Sequence, residues 1–121
     1  MLDAGALIAI DRGDRRMLAL LEAAREARAP LTTTAPVVAQ AWHDGRVQAR
    51  LAAFLKQPEV SIAPFDAMEA RAVGTLATLS RHDDVVDTHV VLLARAHRQT
   101  IVTSDPDDVQ KVDPKIRVVR I

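Results

Sequence analysis

The sequence predicts an α/β domain with a largely parallel sheet, and three observations carry that reading. Short β-branched runs alternate with longer stretches of helical periodicity, the order that right-handed crossovers between parallel strands require. Aspartates gather at the boundaries of those stretches, where they can cap helices or face the carboxyl edge of a sheet. With 121 residues, 49% hydrophobic and 26% charged, the chain has the size and composition of one folded core.

We therefore read residues 1–121 as a single domain. No apolar run approaches the ~20 residues of a membrane span. Met1-Leu2-Asp3 opens without the basic and apolar parts of a signal peptide, so the expected location is the cytoplasm. Cysteine is absent, which removes disulfides and thiolate zinc sites. Sixteen basic residues balance sixteen acidic ones, so any polyanionic partner would need a local basic patch.

The elements follow in order. Residues before Asp3 form a very short strand, and a helical turn starts at Ala4 or Gly5. Arg15 to Arg28 repeats Leu18, Leu21, Ala24 and Ala27 at helical spacing until Pro30 stops it. Leu31–Thr34 is a strand, and Pro36 sits in the first turn of a short helix through Trp42. "GRVQARLAAFLKQP" places Val47, Leu51, Phe54 and Leu55 on one helical face. Val60–Ala63 is a strand. Asp66 caps the next helix with Glu69 three residues later, and Ala72, Val73, Leu76 and Leu79 follow. "RHDDVVDTHVVLLARA" opens a helix running to about Arg98, Thr100–Thr103 is a strand, Ser104-Asp105-Pro106 starts a helical turn, and Arg117–Ile121 is a last strand. That makes about five strands.

Asp3 and Asp105 each follow a strand, so both belong at the carboxyl edge of the sheet, where sites of open α/β folds form. Asp87 lies in the first turn of its helix and can face the same edge. Asp84 is three residues earlier, about 5–6 Å away between Cβ atoms. Each has a plain alternative: Asp83 or Asp84 as a cap, Asp87 favoured by the helix dipole, Asp105 with Asp108 as a capping arrangement. Asp3 is costly to bury unless it is paired, hydrogen-bonded or bound to a metal. Carboxylates converging on one edge raise one another's pKa until a cation balances them. Magnesium or manganese is the natural cation for oxygen ligands, and its chemistry is phosphodiester hydrolysis by activated water.

"LDAGALIAI", "DVVDTHVVLLARA" and "IVTSDPDDV", in that order and spacing, resemble a PIN domain, specifically a VapC-like toxin ribonuclease of a toxin–antitoxin pair. The resemblance covers nearly the whole chain. It implies a three-layer α/β/α domain with a central, mainly parallel sheet, an acidic Mg2+ or Mn2+ site that cuts RNA, a cognate antitoxin and a homodimer. By position, Asp3, Asp87 and Asp105 become the metal and catalytic set, with Asp84 and Asp108 as accessory ligands and Thr103 and Ser104 hydrogen-bonding around them. Asp83 then becomes the expected cap. Gln40, in "TTTAPVVAQAWHDG", stands where the family usually has glutamate; an amide carbonyl can bind a hard cation but adds no charge. Asp84 is the nearest candidate to supply it. The family also carries apolar residues before its first aspartate, where this chain has only Met1 and Leu2; either the natural start lies upstream or the first strand is unusually short.

Other residues read more plainly. His43, His82, His89 and His97 show no metal-ligand spacing; His82, beside the acidic group, could tune the site or touch substrate but reads more simply as a surface histidine. Arg46 and Arg50 could grip phosphates from one helix face but more simply line a solvated one. Trp42 reads as core or interface. The two functions left standing are a metal-dependent ribonuclease and a catalytically weakened PIN-fold module that binds RNA or protein, for which Gln40 is the main support. A receiver-like signalling domain needs a lysine after a late strand, and none follows "IVTS".

Overall fold

In the computed structural model, which describes residues 1–121, seven helices and four short strands alternate. Helices α1 (Ala4–Asp11) and α2 (Arg15–Glu26) precede β1 (Leu31–Thr34). Helices α3 (Ala35–Ala41) and α4 (Ala49–Leu55) lead to β2 (Val60–Ala63). Helices α5 (Ala67–Ser80) and α6 (Val85–His97) are followed by β3 (Ile101–Thr103), α7 (Pro106–Val112) and β4 (Val118–Arg120).

The abundance of aspartate is explained largely by helix starts. Asp3, Asp14, Asp66 and Asp84 each accept a hydrogen bond from the backbone N–H three residues on, capping α1, α2, α5 and α6. Thr34 does the same for α3, with Pro36 in its first turn. The cap of α6 is thus Asp84, not Asp83. Three arginines, Arg28, Arg81 and Arg98, take left-handed backbone angles with φ of 53°, 57° and 54° just past helix ends. Glycine would be easier there by roughly 1–2 kcal/mol. Arginine instead sets a cation beside the negative end of each helix.

The strands are parallel but form two pairs instead of the expected single five-stranded sheet. Strand β1 pairs with β2 from Leu31↔Val60 to Thr34↔Ala63, and β3 pairs with β4 from Ile101↔Val118 to Thr103↔Arg120. Residues 1–3 run between the pairs. The Leu2 N–H donates to the Thr32 carbonyl at 2.7 Å, and the Val102 N–H donates to the Met1 carbonyl at 2.8 Å. This segment makes one parallel bridge, Leu2 to Val102, and no strand. The Met1 ammonium donates to the Thr100 carbonyl at 2.9 Å, and burial lowers its pKa to about 6.

Helix α1 packs on α3 and α4, while α5, α6 and α7 pack together; α6 touches both β1 and β3 and so ties the pairs to one another. Leu7, Val37, Leu51, Val90, Val91, Ile101 and Val109 fill the core. Val47 is not part of it. The N–H groups of Val47 and Gln48 both donate to the Asp44 carbonyl, and the buried Gln48 amide holds the turn by accepting from His43 and Asp44 and donating to Ala41. Helix α4 therefore starts only at Ala49, leaving Val47 78% exposed. Leu79 is likewise exposed, and α5 buries only Val73 fully. No helix is long and apolar enough to cross a membrane.

Candidate active site

Parallel strands bring their carboxyl ends to one edge, and the aspartates collect there as two groups. The first surrounds Asp3. Its Oδ1 accepts from the Ala6 N–H at 3.0 Å, and the Gly5 N–H and the Thr103 hydroxyl also favour its charged form. Burial outweighs these and raises the Asp3 pKa, with the nearby Asp105 charge adding to the rise. Asp105 stands at the start of α7 but its carboxylate makes no capping bond; its N–H donates to Thr103 Oγ1 at 2.9 Å. Thr103 is fully buried and thus links the two aspartates.

The second group surrounds Asp87, in the first turn of α6. Burial raises its pKa, and Asp84 and then Asp108 push it further by like-charge repulsion, while a bond from His82 works against them. Asp84 is therefore at once the cap of α6 and a neighbouring negative charge, with its Oδ1 2.9 Å from the Asp87 N–H. Asp108 acts on Asp87 although it lies one turn beyond Asp105. His82 Nε2 is 3.3 Å from Asp87 Oδ2, with side chains only 13% and 23% exposed. His82 is thus packed against the Asp87 carboxylate and is not a surface histidine. Its sequence signal was weak, because five residues and a helix start separate it from Asp87.

Two other positions make no side-chain hydrogen bond to either group. Gln40 lies exposed in the last turn of α3 and its side chain makes no hydrogen bond. The Ser104 hydroxyl faces α1, so close to Gly5 that a Cβ added there would meet its Oγ at 2.1 Å. Its place is one of packing. Arg46 is held by Asp44 at 2.9 Å in the turn before α4 and does not share a helix with Arg50.

No three acidic or histidine side chains stand close enough to cage an ion by themselves. The donor chemistry nevertheless fits magnesium or manganese. Both groups offer carboxylate oxygens that burial and like charge make unfavourable as bare anions. A magnesium ion commonly takes one or two carboxylates and completes its shell with water and substrate phosphate.

Behind this edge lies a histidine with no hydrogen bond. His89 is fully buried on α6, its ring 4.9 Å from that of Phe65 and its Nε2 3.4 Å from Glu69 Oε1. Burial lowers its pKa below the usual 6.5, outweighing the opposite pull of Glu69. The folded state therefore resists protonation that the unfolded chain accepts, so the His89 contribution to stability falls as pH drops below about 6.5. A His89→Leu variant is expected to lose stability less steeply between pH 7 and pH 5 than the parent. Urea unfolding across that window measures it, and equal slopes would show that His89 does not titrate on unfolding.

No protein-family model matches the sequence, and no curated protein does. In structure the chain is similar to the crystal structure of FitAcB from Neisseria gonorrhoeae. The TM-score is 0.63 over 98% of this chain and 95% of that one, at 20% sequence identity. The two share a fold, which bears out the single α/β domain with parallel strands expected from the sequence.

Proposed function

We propose that the chain is a single-domain, PIN-type endoribonuclease that depends on Mg2+ or Mn2+, the toxin of a type II toxin–antitoxin pair acting in the cytoplasm. The observation that carries the proposal is the meeting of Asp3 and Asp105 across the buried Thr103 hydroxyl, at the edge where α/β folds place their sites. The likeness to FitAcB supports the toxin–antitoxin setting with a cognate antitoxin as partner; a second copy of the chain is what the family resemblance implies.

Each residue has a task that this chain's geometry suggests. Asp3 and Asp105 are the carboxylates that would hold a cation, and Thr103 keeps their spacing. Asp87 faces the same edge, its carboxylate oriented by His82, while Asp84 and Asp108 add negative charge around it that a cation would balance. When bound, magnesium or manganese supplies the positive charge that acidifies water and polarises a phosphodiester. The protein's own work is to hold paired carboxylates partly out of water, where they gain most from that charge.

The test is incubation of the full chain with single-stranded RNA and Mn2+. Cleavage that stops with a chelator supports the proposal; cleavage that persists without metal overturns it. Gln40 supports a second reading, a module that binds RNA or protein with little hydrolysis. If the site is an impaired enzyme, Gln40→Glu raises the cleavage rate. If neither form cuts RNA but both bind it, the binding module is the better account.

A further inference from the structure

A basic concavity of about 370 Å3 lies at the opposite end of the molecule, beside the amino ends of β3 and β4. Arg95, Arg98, Lys115 and Arg117 line it, and Asp113 is its only carboxylate. In a chain whose sixteen cations match sixteen anions, four against one is a local concentration. Helix dipoles account for part of it, since α6 and α7 both end here and favour nearby cations. They do not account for Lys115 and Arg117, which lie in the connection beyond α7.

Two of the four are held in place by the fold. Arg95 Nε is 3.4 Å from Asp113 Oδ2, and Arg117 Nη2 donates to the Arg98 carbonyl at 2.9 Å. That bond uses one donor of the Arg117 fork and leaves the others available. Arg98 and Lys115 are exposed, and neither side chain makes an ion pair or hydrogen bond. Preset guanidinium forks beside free cations suit the oxygens of a phosphate.

We propose that this concavity binds a phosphate group, supplied by the backbone of the RNA strand that the acidic edge cleaves. The identity of the strand rests on the ribonuclease reading; the phosphate chemistry does not. From Asp87 to Arg98 is eleven residues, about 16 Å along a helix. A strand anchored here is held away from the acidic edge, which repels phosphates in the absence of a cation. Holding the strand and cutting it are thereby assigned to opposite ends of α6.

The test compares the full chain with the double variant Arg98→Gln, Lys115→Gln, in chelator, by fluorescence anisotropy with a labelled single-stranded RNA. Arg95 and Arg117 stay, because they brace Asp113 and the Arg98 carbonyl, and unchanged thermal unfolding confirms the fold. Two lost phosphate contacts are expected to weaken binding about tenfold and to make the slope of log K against log salt shallower by about 1.4. Titration with inorganic phosphate identifies the source. If the variant loses inorganic phosphate but binds RNA like the parent, the phosphate site stands and the strand assignment falls. If neither probe distinguishes variant from parent, the proposal is overturned. Because binding is read without metal, a change in binding with no cleavage in Mn2+ overturns only the ribonuclease reading. Normal cleavage with unchanged binding of both probes overturns only this site.

Discussion

Asp3→Asn is expected to reduce Mn2+-dependent RNA cleavage by at least roughly 100-fold, while the fold at pH 7 becomes no less stable. Asparagine caps helices about as well as aspartate, so the bond to the Ala6 N–H survives. What disappears is a charge that burial and Asp105 disfavour. The sign is set by the raised pKa. Protonated Asp3 is the form the fold prefers, so its stabilising contribution is complete below the ordinary 3.8 and is lost as pH rises through the higher folded value. The variant is expected to lack that loss between acid and neutral pH. Saturating Mn2+, at 100 times its Kd, stabilises the parent by about 2.7 kcal/mol and the variant by much less. Unfolding curves with and without Mn2+ check this independently of cleavage. Asp3→Ala gives the contrast, since it also loses the cap, at about 1 kcal/mol. Full cleavage by the asparagine variant would remove Asp3 from the site.

Gly5→Ala is expected to destabilise the protein by about 1–3 kcal/mol through overpacking and to impair cleavage with it. An alanine Cβ would lie 2.1 Å from Ser104 Oγ, 3.0 Å from its Cβ and 3.2 Å from its backbone N. The hydroxyl can rotate away, but the Cβ and backbone cannot. Relief requires α1 to move off the turn between β3 and α7, which separates Asp3 from Asp105. Against this stands the better helix propensity of alanine, up to about 1 kcal/mol. Adding Ser104→Gly removes the two closest contacts and is expected to recover most of the loss. Urea unfolding decides the matter, because a Gly5→Ala protein as stable as the parent is incompatible with so close an approach.

What could be read from the sequence was local. Asp66 with Glu69 and Pro36 after Thr34 act within one turn, the repeat from Arg15 within one helix, and each marks a helix that the structure has. Choosing between Asp83 and Asp84 was harder, because either could precede Val85. Burial of Thr88, His89, Val90, Val91 and Ala94 sets how α6 lies, and only Asp84 is then placed to cap it. Val47 fits the apolar period of its neighbours, but the Gln48 amide closes a turn there, a tertiary preference that periodicity does not carry. The sheet was overcounted because the apolar segment before Asp3 reads as a strand but makes a single bridge, and because the strands pair two by two. His82 and Asp108 meet Asp87 from outside α6, across a helix boundary and from a separate helix, so neither neighbourhood follows from spacing.

Helix α6 starts with Asp84 and Asp87 and ends with Arg95, His97 and Arg98, so its side chains oppose the partial charges of its own backbone at both ends. Its thirteen residues span about 20 Å, more than the roughly 8 Å over which charges are felt at physiological salt. From a distance a polyanion therefore meets a neutral body, and only on near contact does it sense which pole it has reached. Encounters with such a partner proceed at the unsteered rate, of order 10⁵–10⁶ M⁻¹s⁻¹. Orientation is sorted after collision, through how long each pose survives, so salt acts on departure more than on arrival.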